Sequence, residues 1–341
     1  MKLSSRRYIG CKTKLLDKIY KAVEEKGYGS SYSFADIFAG TGVVGGYFAS
    51  KGHKVLFNDT LYSNFVIYNA WFGKGTINQS KIEKILTEFN NIDPTGLEEN
   101  YFSNIYADKY FSRNDAKKIG FIRDRIEEIR EELSYKEYCY LVASLIYAID
   151  RIANTVGHFE SFLRKTPVDK GVILKALEIP VNSLEAEIFQ KDANELVREI
   201  QYDIVYIDPP YNARQYVNFY HVLENLARWD KPTEFEGNSM KFKRNHLKSD
   251  YCRNKAPALF KDLIENLKCK LIVVSYNNTY VANSISSVNM ISEEQLIETL
   301  KAKGKLTIIE LDHKFFNAGK TDFKNHKELL YICEVGKWWI F

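Results

Sequence analysis

The feature that most constrains this chain is the stretch Asp203-Ile-Val-Tyr-Ile-Asp-Pro-Pro-Tyr-Asn212. Its apolar run from Ile204 to Ile207 is short and rich in β-branched residues, the pattern of a strand covered on both faces in a parallel sheet. The run stops at Asp208-Pro209-Pro210-Tyr211. Two prolines fix φ, lack amide donors and push the residues before them out of the helical region. The sheet therefore delivers a carboxylate, two carbonyls without neighbouring amide donors and an aromatic ring to one rigid corner. Open α/β sheets bind ligands at that carboxyl edge, and an acceptor-rich corner beside a flat ring suits a planar group carrying an NH2. A Pro-Pro turn that merely closes a strand, with Tyr211 as packing, is the plainer alternative.

Upstream, Phe34 to Phe38 reads as a strand and Ala39-Gly40-Thr41-Gly42 as a tight turn into a helix through Val43, Val44, Tyr47 and Phe48. Glycines in such a turn let the backbone approach a ligand closely. A second strand, Lys54 to Phe57, ends in Asn58-Asp59, where an acidic residue is placed for ribose hydroxyls. Gly40, Gly42 and Gly45 fit the G-x-G-x-x-G spacing, which points to a nucleoside-like ligand without establishing that it carries phosphates. Ahead of this unit, Thr13 is placed to cap a helix bearing Leu15, Ile19 and Val23, with Gly27 beyond its end.

The chain has 341 residues, enough for one large domain or a core with an inserted lobe. From 62 to 180 the texture is helical, with helices expected over 82–89, 114–133 and 135–155 and one apolar face formed by Ile119, Ile122, Ile126 and Ile129. Within it, Asn154 to Phe159 is either a buried helix terminus or the lining of a cleft. The strand pattern returns at Ala186 to Phe189, followed by Lys191-Asp192-Ala193, and again at Lys270–Tyr276, Leu306–Leu311 and Leu329–Cys333, the last two separated by a polar loop over 312–327. The expectation is a seven-stranded, mostly parallel α/β sheet with one antiparallel strand. It is built from 1–61 and 181–341, with 62–180 inserted as a mainly helical lobe.

Net charge is only +4, but it is unevenly spread. Between 241 and 255 lie Lys241, Lys243, Arg244, Lys248, Arg253 and Lys255, opposed in that window by Asp250. Such a stretch is either a phosphate-binding footprint or a solvated basic loop. Five scattered cysteines form neither a disulfide framework nor a zinc spacing, which fits a reducing cytoplasm and argues against a structural metal. No apolar run approaches the ~20 residues that cross a bilayer, and the basic N-terminus lacks the apolar core of a signal peptide.

Taken in order, five motifs resemble those of adenine-specific DNA methyltransferases of the Dam and FokI-modification type. They are Tyr8-Ile-Gly-Cys-Lys12, Asp36-Ile-Phe38-Ala-Gly40-Thr-Gly42, Asn58-Asp59, Lys191-Asp192-Ala193 and Asp208-Pro209-Pro210-Tyr211. The resemblance runs nearly end to end. It implies a Rossmann-like class I methyltransferase with a helical DNA-recognition lobe, and S-adenosyl-L-methionine as methyl donor. In that reading Gly40 and Gly42 let the donor approach, Asp59 accepts from its ribose and Asp192 from its adenine. Asp36, Phe38, Ala193 and Asp208 belong to the same site. Lys12 resembles the lysine that holds the methionine end, with Tyr8 alongside and Lys14 as a competitor for the role.

The same resemblance implies double-stranded DNA as substrate, with the target adenine flipped out of the helix. Tyr211 would stack on that base, and Asp208 and the Pro209 carbonyl would accept its amino hydrogens. Transfer would be a direct in-line displacement needing neither metal nor covalent intermediate. A cytosine C5 enzyme needs a cysteine after a proline, and no cysteine here follows one. Ala213-Arg214-Gln215-Tyr216 resembles the FokI branch more than Dam, so the GATC specificity of Dam is not expected; Arg214 contacts phosphate or braces the loop. Lys241, Lys243, Arg244, Lys248 and Arg253 are the other candidate DNA contacts. Methyltransferases of this resemblance often work as monomers beside a cognate restriction endonuclease, which here would be a separate partner in a prokaryotic cytoplasm; a solitary regulatory methylase is equally compatible with the residues, and no membrane is expected. The alternatives are an amino methyltransferase of RNA adenine or cytosine N4, and an inactive DNA-binding relative.

Overall fold

The computed structural model describes residues 6–178, 186–278, 288–311 and 327–336. The loop expected over 312–327 lies, apart from Lys327, outside them. The chain divides into two compact units.

The first unit contains Cys11–Thr60, Ala186–Tyr216 and Lys248–Phe341 and carries a seven-stranded sheet. Its strands are β1 (Phe34–Asp36), β2 (Val55–Asn58), β3 (Glu187–Phe189), β4 (Ile204–Ile207), β5 (Leu271–Asn277), β6 (Gly304–Leu311) and β7 (Glu328–Val335), in spatial order β3-β2-β1-β4-β5-β7-β6. The pairs β1–β2, β1–β4, β2–β3 and β4–β5 are parallel, while β7 runs antiparallel to both β5 and β6. This is the expected sheet. All four residues of β4 and all seven of β5 are buried, as their largely apolar runs require. One face is covered by helices Ala193–Glu199, Ala256–Asn266 and Glu293–Lys303 through Val197, Phe260, Leu263, Leu296 and Leu300. Elsewhere the ring of Phe34 stacks on that of Phe48, from helix Val43–Ser50, with centroids 3.7 Å apart.

The expected strand bounds shift most in three places: β1 ends at Asp36 rather than Phe38, β6 begins at Gly304 rather than Leu306, and β7 spans Glu328–Val335 rather than Leu329–Cys333. β7 begins at Glu328, ahead of its apolar run, because Glu328 pairs in register with Asn277 and with Leu311. The first helix also differs: it spans Leu16–Glu24 with Leu15 at its cap and no side-chain cap bond, so Thr13 does not cap it. The Thr13 hydroxyl instead lies 3.0 Å from the Cys11 sulfur.

The second unit contains Met1–Gly10, Leu61–Glu185 and Val217–Leu247. The helical lobe expected over 62–180 falls here, but it is joined by 217–247 and by the N-terminal residues, which the sequence pattern assigned to the sheet domain. The reason is side-chain anchoring. Glu224, on helix His221–Arg228, is fully buried and accepts from the backbone amides of Tyr62 and Ser63 at 2.9 and 3.0 Å. It thereby caps helix Tyr62–Phe72, whose own N-cap residue Leu61 offers no side-chain acceptor. Arg123, from helix Arg113–Glu128, is also fully buried and donates to the carbonyls of Leu226 and Ala227 and to the Tyr138 hydroxyl.

The expected apolar face is present, with Ile119, Ile122 and Ile126 fully buried. The helices expected over 82–89 and 135–155 span Gln79–Asn90 and Tyr135–Ile152. Of the two readings of Asn154 to Phe159, Asn154 fits a buried terminus. Its amide donates to the carbonyls of Lys109, Leu163 and Lys165.

Glu224→Ala should leave one buried and one part-buried amide without their acceptor and destabilise the protein by about 2–4 kcal/mol. Urea unfolding followed by circular dichroism checks this; a midpoint equal to that of the parent protein would remove the capping role.

Candidate active site

Because β1 to β5 are parallel, their carboxyl ends lie on one edge of the sheet, and because β7 is antiparallel its first residue lies there too. The residues delivered to that edge are Asp36, Asn58-Asp59, Asp192, Asp208 and Glu328.

The Asp208 corner is the most connected. The Lys12 ammonium sits 2.8 and 3.0 Å from the two oxygens of Asp208 and 3.4 Å from Glu328 Oε1. The Tyr211 hydroxyl donates to Asp208 Oδ1 at 2.8 Å and lies 2.5 Å from Glu328 Oε1, which also accepts from the Ser275 hydroxyl at 2.8 Å. Lys12 and Glu328 are almost completely buried and Asp208 largely so. Burial alone would lower the pKa of Lys12, but Asp208 and Glu328 outweigh it and hold the ammonium well above the ordinary lysine range. Burial pushes the Asp208 carboxyl up, Lys12 opposes it and Glu328 adds to it. Burial, then the charges of Asp208 and Glu328, hold the Tyr211 phenol in its neutral form.

The corner's backbone is equally held. The Tyr211 carbonyl accepts from the Tyr276 hydroxyl at 2.9 Å and from the Met290 amide at 2.8 Å, and the Tyr211 and Tyr276 rings lie 4.5 Å apart. Pro209 is buried and Pro210 half-buried. Past the corner, the Gln215 side chain exchanges two hydrogen bonds with the backbone of Ser249. Arg214 is exposed.

The glycine turn follows the sequence reading. Gly40 and Gly42 have φ of +53° and +73°, a region that disfavours side chains, and Gly42 begins helix Val43–Ser50. Gly45 is required for another reason: a Cβ there would lie 2.4 Å from the Phe57 ring on β2. Asp59 accepts from the Gly40 amide at 2.9 Å. Asp36 accepts from the Gly45 amide with one oxygen, while its other oxygen is buried with no hydrogen-bond partner among the described residues. Burial, opposed by the Gly45 amide and reinforced by Asp208 and Asp59, pushes the Asp36 carboxyl up to about 8. Asp192 is exposed and caps helix Ala193–Glu199 through the amides of Asn194 and Glu195, and Ala193 is buried behind it. Phe38 stands edge-on to Tyr251 with centroids 5.1 Å apart.

Several expected residues lie differently from the sequence reading. Lys12 is engaged by the two carboxylates of the Asp208 corner, whereas Lys14 is exposed. Tyr8 belongs to the helical unit, where it stacks on Tyr220 with centroids 4.6 Å apart. The basic stretch is not one free patch. Lys241, Lys243 and Arg244 lie in the helical unit and pair with Glu160, Glu234 and Glu236, while Arg253 and Lys255 lie in the sheet unit and pair with Asp250. Arg244 is buried and bonded to Asn218, Glu236 and the Phe242 carbonyl, so it braces the hairpin of Phe235–Glu236 and Lys241–Phe242. Lys248 is half-buried in the sheet unit. Glu328 and Ser275 carried no signal in the sequence, where they stand 120 and 67 residues beyond Asp208.

The edge can bind a cationic, nucleoside-like molecule. Its glycine turn allows close approach, its charged groups are mostly carboxylates, and Asp36 keeps one buried oxygen without a hydrogen-bond partner among the described residues. A pyrophosphate would face these carboxylates with Lys12 already paired.

Comparison with known proteins agrees with this chemistry. Residues 8–299 match the family described as D12 class N6 adenine-specific DNA methyltransferase. Modification methylase StsI of Streptococcus sanguinis is 38% identical, over 96% of this chain and 52% of its own length. Type II methyltransferase M.FokI of Planomicrobium okeanokoites is 34% identical, over 87% of this chain and 47% of its own. The chain thus spans about half the length of these two relatives. Type II methyltransferase M.NlaIII of Neisseria lactamica is 31% identical, over 96% of this chain and 98% of its own length. A family model matched over residues 8–299, and relatives 31–38% identical over most of the chain, show that this chain belongs to the D12 class of N6 adenine-specific DNA methyltransferases.

Proposed function

We propose that this chain transfers a methyl group from S-adenosyl-L-methionine to the N6 amino group of adenine in double-stranded DNA, as the modification enzyme of a restriction-modification system. The observation that carries this reading is the Asp208-Pro209-Pro210-Tyr211 corner, rigid, acceptor-rich and charge-compensated by Lys12 at the carboxyl edge of the sheet. Relatives named as modification methylases and type II methyltransferases support the biological setting.

When bound, S-adenosyl-L-methionine supplies a methyl group on a positively charged sulfur, which an edge rich in carboxylates favours. Gly40 and Gly42 give the room for it, and Asp36, Phe38, Asp59, Asp192 and Ala193 line the ends of β1, β2 and β3. The adenine amino nitrogen is a poor nucleophile because its lone pair is delocalised into the ring. Asp208 and the Pro209 carbonyl accept its two hydrogens, which draws the lone pair out of conjugation and orients it. Tyr211 offers the ring face for the flipped base. The Tyr211 hydroxyl donates to Asp208 Oδ1, which shows that this oxygen is placed to accept from a donor. Positioning and preorganised charge then supply most of the rate enhancement.

No described helix is long and apolar enough to cross a membrane. The setting proposed is the cytoplasm of a prokaryote, with the enzyme acting as a monomer without a metal and any cognate endonuclease on a separate chain. Among the basic residues, Lys243, Lys248, Arg253 and Arg214 are proposed to engage DNA phosphates, with Lys241 secondary. Arg244 is left to its structural bonds.

Asp208→Ala should lower methyl transfer by at least about 10²–10³-fold while donor binding stays measurable, since Glu328 still compensates Lys12. Transfer of labelled methyl groups to DNA and calorimetric titration of the donor check the two halves; undiminished turnover would remove the proposal. Replacing Lys243, Lys248 and Arg253 together by glutamine should weaken DNA binding. It should also flatten its logarithmic salt dependence by about one unit for each phosphate that is no longer neutralised. A slope unchanged in fluorescence-anisotropy titrations would leave these residues as a solvated face.

A further inference from the structure

We propose that Glu328 is a positioning residue for methyl transfer, sharing Lys12 and the Tyr211 hydroxyl with Asp208 and so setting how Asp208 presents its acceptor oxygens. The inference rests on the proposed function and deepens it at the same corner.

Glu328 lies outside every motif that marks the site. It reaches the corner because β7 is antiparallel, which puts the first residue of that strand opposite Asn277 at the carboxyl end of β5. Its side chain is almost completely buried, and one oxygen gathers three partners: the Ser275 and Tyr211 hydroxyls and the Lys12 ammonium. A buried carboxylate without a compensating charge is costly. Here two carboxylates face the single charge of Lys12, so neither is fully neutralised by it.

That division matters for Asp208. If Lys12 faced Asp208 alone, its full charge would hold the Asp208 electrons and weaken the carboxylate as an acceptor for an amino group. With Glu328 drawing on the same ammonium, Asp208 remains the stronger acceptor. The Tyr211 hydroxyl adds a second link, because its single proton lies within reach of both carboxylates, with the oxygen 2.8 Å from Asp208 Oδ1 and 2.5 Å from Glu328 Oε1. The groups facing Asp208 from the surrounding elements are Lys12 from the N-terminal segment, Glu328 from β7, Tyr206 from β4, Asp36 from β1 and Tyr211 from the corner itself. Of these, Glu328 raises the Asp208 carboxyl whereas Lys12 and Tyr211 lower it.

The test is steady-state methyl transfer to an adenine-containing duplex by the full chain, measured along the acid limb of the pH profile. Glu328→Gln keeps the size and much of the hydrogen bonding but removes the charge. It should lower kcat about tenfold or more, leave KM for the methyl donor near that of the parent, and move the acid limb to lower pH. Tyr211→Phe keeps the ring but removes the shared hydroxyl, and should move the acid limb the opposite way. In the double variant the kcat losses should not multiply, as expected for residues acting through one network.

A folded Glu328→Gln protein with the parent kcat and an unmoved limb overturns the inference. Should that variant fail to fold, an unmoved limb in Tyr211→Phe overturns it. A parent protein that leaves adenine unmethylated overturns the functional reading itself, and this inference with it.

Discussion

The ion cluster of Lys12, Asp208 and Glu328 holds the corner together. A carboxylate at a largely water-excluded sheet edge would ordinarily take up a proton, and an ammonium there would lose one. With Lys12 held 2.8 to 3.4 Å from the carboxylate oxygens, each group favours the charged form of its partner. The cost of removing these charges from water is offset only because the Tyr211 and Ser275 hydroxyls satisfy further lone pairs. The cluster is thus an ion pair held in place by hydrogen bonds.

Sheet topology explains why these groups meet. Parallel strands send Asp36, Asp59, Asp192 and Asp208 to one edge, each just at or beyond the end of its strand. The reversal of β7 then adds a residue from a strand's beginning to a set otherwise drawn from strand ends. Local devices hold the set in place: positive φ at Gly40 and Gly42, the close approach of Gly45 to Phe57, and the capping of helix Ala193–Glu199 by Asp192. A concentration of carboxylates at such an edge is a poor environment for phosphate and a good one for a cation.

The helical unit illustrates a different rule. Its boundary was not legible from periodicity, because the residues that recruit 217–247 are polar and act over long separations. Glu224 caps a helix more than 150 residues upstream, and Arg123 grips the carbonyls of Leu226 and Ala227. Charge counting along the chain does not reveal the partners of the basic stretch, for a related reason. A window from 241 to 255 contains one acid, but folding brings Glu160, Glu234 and Glu236 onto its cations.

Local and periodic features were legible in the amino-acid order alone. Short apolar or β-branched stretches pointed to the seven strands, glycines and prolines marked the turns at either side of the site, and the motif order carried the family. Those signals are readable because strand burial, positive φ and proline stiffness are properties of a few adjacent residues. Which distant charges share one small volume was settled instead by the folded chain. Lys12 and Glu328 stand 196 and 120 positions from Asp208, and no periodicity connects the three. Glu328 meets Asp208 because one strand of an otherwise parallel sheet is reversed, and that reversal joins a conspicuous Asp-Pro-Pro-Tyr corner to a buried carboxylate from a distant strand.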